Sequence, residues 1–136
     1  MNSTLSNEEL QLIQILEQNT GAQALDVMNE EDCVTFIVKN GDLGRAIGKD
    51  GANITRLKKN MGKNVELVEY SEERKTFLEN LFKPAKIQEF RFEENGMILR
   101  VDTKDKGLAI GRGGSRIKRA RELMKRHFGI QELKIV

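Results

Sequence analysis

The chain has 136 residues, 38% of them apolar, and its 23 Lys+Arg against 21 Asp+Glu leave a formal net charge of +2. That is enough for one ordinary domain or two very small ones, each with a modest core. A lone cysteine, Cys33, excludes an internal disulfide and a cysteine-built zinc site, and a lone histidine, His127, excludes multi-histidine metal sites and argues against a Ser/His triad.

Taken in chain order, Leu10, Ile13 and Leu16 open a helical pattern, with Ser6 as N-cap and Glu9 as its capping-box partner. Gln23–Asn29 reads as a moderate strand and Cys33–Val38, rich in β-branched residues, as a strong one. Gly41-Asp42 marks a turn, with Asp42 able to cap a short helix over Leu43–Ile47. After Gly48–Gly51 a longer helix runs from Ala52 to Met61, its Ile54, Leu57 and Met61 on one face. Gly62 ends it, and Val65–Val68 is a further strand. The order then repeats. Ser71 opens a helix carrying Phe77, Leu78, Leu81 and Phe82, and Pro84, the only proline, follows it. Ile87–Phe92 and Met97–Asp102 form a hairpin turned at Glu94-Asn95-Gly96. Lys104–Ile110 is a short helix, Gly111–Gly114 a loop, Ser115–Phe128 a long helix and Leu133–Val136 the last strand.

The repetition is also literal. Sliding the chain by 63 residues aligns 24–58 with 87–121 without a gap, and 11 of the 35 positions are identical. The matches cluster at Asp42/Asp105, Ala46/Ala109, Ile47/Ile110, Gly48/Gly111, Gly51/Gly114, Ile54/Ile117 and Arg56/Arg119. The reading is two copies of one α-β-β-α-α-β unit, 1–69 and 70–136, each a three-stranded sheet covered by helices: an α+β fold. The junction at Tyr70-Ser71 is too short for a flexible linker, so the two copies should hold a fixed relation.

Charge follows the repeat. Residues 39–63 carry seven bases against Asp42 and Asp50, and residues 104–127 carry nine against Asp105 and Glu122. These two windows hold 16 of the 23 bases, which marks two anion-binding candidates on an acidic body. At the centre of each lies a helix–Gly-x-x-Gly–helix junction, Gly48-Lys49-Asp50-Gly51 and Gly111-Arg112-Gly113-Gly114. Glycine lets a ligand backbone approach, and the helix that follows offers free N–H groups and the positive end of its dipole, a setting suited to phosphate. Rival motifs fit worse. A P-loop needs Ser or Thr after Gly-Lys, where Asp50 stands, and a dinucleotide fingerprint needs a third glycine where Arg116 stands.

Ile47-Gly48-Lys49-Asp50-Gly51 with Ile54, and Ile110-Gly111-Arg112-Gly113-Gly114 with Ile117, resemble the loop of KH domains, and the element order resembles their type II form. Two such units abutting without a linker resemble the NusA family of transcription factors in its short archaeal form. The resemblance implies that each loop clamps the backbone of about four nucleotides of single-stranded RNA while bases lie in an adjacent apolar groove. Carried to this chain, Gly48, Lys49, Asp50, Gly51 and Arg56, and Gly111, Arg112, Gly113, Gly114, Arg116 and Arg119, are the RNA-binding candidates. Ile47 and Ile54, joined by Phe36 or Val38, and Ile110 and Ile117, joined by Leu99 or Val101, are the groove candidates. Ile54 and Ile117 serve equally as core residues, and Arg56 and Arg119 either reach phosphate or stay solvated. The Asp50 carboxylate is unfavourable beside phosphate, so the second copy should bind more strongly. With 7 aromatics in all, stacking platforms are not expected.

The remaining chemistry-bearing residues read blandly: Cys33 as a buried, inert thiol, His127 as support for a helix C-terminus, and Glu30-Glu31 and Glu93-Glu94 as hairpin-turn carboxylates. No stretch approaches the ~20 apolar residues of a membrane span, and residues 1–18 lack the basic and apolar regions of a signal peptide. The expectation is a cytoplasmic, non-enzymatic protein, with no metal or cofactor. It would bind nascent single-stranded transcripts in termination or antitermination, with RNA polymerase as the protein partner the resemblance implies. The opposing classes are a KH-based protein-interaction adaptor and an RNA-processing or ribosome-assembly factor.

Overall fold

A computed structural model describes residues 5–136, which form two compact units meeting between Ser71 and Glu72. This boundary lies two residues beyond Glu69, where the repeat places it.

In the first unit, α1 (Asn7–Thr20) starts at the expected capping box: Ser6 Oγ accepts from the Glu9 amide at 3.1 Å, and Glu9 Oε1 accepts from the Ser6 amide at 2.8 Å. Gly21, at φ 75°, closes it. Strands β1 (Ala24–Asn29) and β2 (Cys33–Val38) pair antiparallel, then α2 (Leu43–Ile47) and α3 (Ala52–Met61) cross over to β3 (Asn64–Glu69), which runs parallel to β2. The sheet order is β1-β2-β3, with β2 central and buried along its whole length. Alternation sends Val34, Phe36 and Val38 into one core with Leu16, Val27, Ala46, Leu57 and Val65.

The second unit repeats this topology with α4 (Arg74–Phe82), β4 (Ile87–Glu93), β5 (Gly96–Val101), α5 (Lys106–Ile110), α6 (Ser115–Phe128) and β6 (Glu132–Ile135). Met97, Leu99, Val101 and Leu133 are buried, whereas Arg100 is exposed on the opposite face of β5, its Nε 2.6 Å from Glu89 Oε1. The repeat extends to irregularities: the β1–β2 ladder shifts register between Ala24 and Asp26, and the β4–β5 ladder shifts between Ile87 and Glu89.

Three expectations are corrected. Asp42 precedes α2 but does not cap it; its Oδ2 accepts from the Gln23 amide at 2.8 Å, which ties the helix to the start of β1. Asp105 does the same for the Lys86 amide at 3.2 Å. The Asp42/Asp105 identity therefore records a clasp 19 residues long rather than a cap. Helix α4 starts at Arg74 with Glu73, not Ser71, in the N-cap position. Strand β5 begins one residue early, at Gly96, because the missing side chain lets Glu132 approach: a Cβ there would lie 2.1 Å from the Glu132 carbonyl oxygen.

Candidate nucleic-acid interface

Both glycine loops join a five-residue helix to a longer one through a short 3-10 turn, Lys49–Gly51 and Arg112–Gly114. Their backbones agree closely. Gly48 has φ 80°, ψ 169° and Gly111 has φ 79°, ψ 171°; Gly51 has φ 74°, ψ 17° and Gly114 has φ 79°, ψ 14°. The first glycine of each loop is demanded twice over. Its φ is positive, and a Cβ would stand 2.9 Å from the Asn53 amide nitrogen in the first loop and 2.8 Å from that of Arg116 in the second.

The position between is informative. Gly113 sits at φ 62°, ψ 20°, and Asp50 at φ 54°, ψ 28°, the one non-glycine residue with positive φ among those described. Asp is among the few residues that tolerate this left-handed region. The backbone therefore gives a reason for Asp50 that its charge does not. Gly51 and Gly114 are the N-caps of α3 and α6, so no N-cap side chain stands over either helix start. The first amide of each helix, Ala52 or Ser115, donates back to the Lys49 or Arg112 carbonyl of its turn.

Around this frame the predicted residues divide. Lys49 and Arg112 are exposed on the turns, as is Asp50. Ile47 and Ile110, 36% and 41% exposed, are surface apolar groups beside the loops. Ile54 is half-buried and packs on the first core, whereas Ile117 is buried at 7% exposure. Phe36, Val38, Leu99 and Val101 are buried and are core rather than groove wall.

The three arginines have different surroundings. Arg56 is exposed and directs Nη1 to the Asn19 carbonyl at 3.5 Å, at the end of α1. Arg116 Nη1 donates to the carbonyls of Leu81 and Lys83, at 3.4 and 3.2 Å, at the end of α4. A guanidinium there satisfies carbonyls that lack helical partners and meets the negative end of the dipole. Arg119 is buried at 7% exposure and already partnered, so it does not stand on the loop surface. His127 sits in the last turn of α6 with its ring edge-on to Phe77, 5.9 Å between centroids, and Cys33 is buried.

Sequence reasoning missed two residues. Asn53 Nδ2 donates to the Arg45 carbonyl at 2.9 Å and laces α2 to α3 across the first loop. Lys118, one turn into α6, places Nζ 3.4 Å from the Gly113 carbonyl oxygen and so adds a second cation over the second loop. Its counterpart in the first repeat is the neutral Thr55, so the repeat alignment hides it.

A model of the KH domain matches residues 11–72, and a model of the NusA-like second KH domain matches residues 74–136. The probable transcription termination protein NusA of Halococcus morrhuae is 36% identical over 99% of both chains. That of Methanococcus vannielii is 33% identical, covering the whole of this chain and 81% of its own. The chain belongs to the archaeal NusA-like family. A crystal structure of APE1850 superposes with a TM-score of 0.80 at 36% identity, over 97% of this chain and all of the other. The two units are thus the tandem KH domains of a NusA-like protein. Among the described residues no helix is long and apolar enough to cross a membrane.

Proposed function

We propose that this NusA-like protein binds single-stranded RNA through its two glycine loops and acts on nascent transcripts in transcription termination or antitermination. The observation that carries the reading is the pair of loops with matching backbone angles, each glycine-capped at a helix N-terminus and each set in a basic window. An RNA backbone laid across a loop would find the positive end of a helix dipole with no side chain at its N-cap, a glycine that permits close approach and an exposed cation, Lys49 or Arg112. Ile47 or Ile110 offers apolar surface to the neighbouring base. The names of the relatives support transcription termination as the setting; RNA polymerase as the protein partner and the cytoplasm as the compartment are part of the same proposal. The reading requires no catalysis, metal or cofactor. Crosslinking the protein to RNA in cells, sequencing the bound fragments and probing the purified complex for polymerase subunits tests it. Enrichment of unpaired segments of nascent transcripts is expected; recovery of no RNA above background would refute it.

A further inference from the structure

The matching backbones make the two loops a controlled comparison, in which only side chains differ. The first presents Lys49 and Asp50, whose charges offset each other, with Thr55 on the following turn of α3. The second presents Arg112 beside the bare Gly113, with Lys118 on the following turn of α6. Lys118 already leans over its loop: its Nζ lies 3.4 Å from the Gly113 carbonyl oxygen, and a Cβ on Gly114 would meet its Cε at 3.5 Å. The contact with the carbonyl is long and exposed, and a phosphate oxygen is a stronger acceptor for an ammonium.

Resting on the RNA-binding reading above, we propose that Lys118 is a phosphate-binding residue of the second loop, so that Arg112 and Lys118 form a two-cation clamp that the first loop lacks. The second KH domain is then the anchor of the RNA backbone. The first loop, with an equivalent frame but no net charge, holds the strand more weakly. Lys125, exposed two turns further along α6, is the internal control for diffuse charge.

The test measures anisotropy of a labelled random-sequence single-stranded RNA over a salt series, with thermal unfolding of each variant. Lys118→Gln should weaken binding about five-fold and reduce the log–log salt slope by about 0.7, the loss of one phosphate contact. Lys125→Gln should change both far less, and Thr55→Lys should tighten binding by placing the second cation over the first loop. Lys118 is exposed, so unfolding should not move. If Lys118→Gln binds like the parent while Arg112→Asp loses affinity, the clamp is wrong and RNA binding at the loops stands. Equal losses in Lys118→Gln and Lys125→Gln would replace the clamp with a general field. A parent protein that does not bind the RNA would overturn the reading on which the clamp rests, and the clamp with it.

Discussion

Replacing Gly111 by alanine probes the loop where backbone and space agree most closely. At φ 79°, ψ 171° the residue occupies a region that is essentially reserved for glycine, and a Cβ would be 2.8 Å from the Arg116 amide nitrogen. That nitrogen belongs to the first turn of α6 and cannot yield without moving the helix start. Strain and clash together should cost about 3 kcal/mol. For a unit of this size each kcal/mol lowers the melting temperature by roughly 4–8 °C, so a fall of more than about 10 °C is expected by circular dichroism. Gly113 supplies the contrast. It has φ 62°, ψ 20°, and a Cβ added there would meet nothing within 4 Å, so Gly113→Ala should cost only about 1 kcal/mol. Gly113→Asp should cost less still, because Asp50 already holds that conformation in the first loop. A Gly111→Ala protein that melts within about 3 °C of the parent, or below which Gly113→Ala melts, would refute the reasoning.

Charge reversal should rank the loops: Arg112→Asp with Gly113→Asp should weaken RNA binding more than Lys49→Asp, with the circular dichroism spectra unchanged, and the opposite ranking would return the main contact to the first loop. Gly96→Ala should lower stability by about 3 kcal/mol or more in denaturant titration, since its Cβ would meet the Glu132 carbonyl oxygen at 2.1 Å and part β5 from β6. RNA affinity should fall steeply with salt, by about 0.7 in log–log slope for each phosphate neutralised; a flat response would favour a protein-interaction role.

The element order and both loops are legible in the sequence because their signals are local. Glycine pairs, β-branched runs and the Ser6/Glu9 capping box depend on neighbours a few residues away. What is not legible depends on distant partners. Asp42 looks like a cap until β1 brings the Gln23 amide to it, and Asp105 meets the Lys86 amide in the same way. Arg56 and Arg116 look like free cations until α3 and α6 lie beside the C-terminal ends of α1 and α4. Arg119 matches Arg56 in the repeat yet is buried where Arg56 is exposed, so identity at repeated positions does not preserve environment. Lys118 escapes for the converse reason: its role comes from a place over the loop that Thr55 also holds, without a charge.

The most direct test of the account is a comparison of affinities for the same RNA sequence as a single strand and annealed to its complement, at fixed physiological salt. A glycine loop that grips one backbone while its bases turn into a neighbouring groove predicts clear preference for the single strand. Equal affinity for strand and duplex, unchanged by Arg112→Asp with Gly113→Asp, would contradict it.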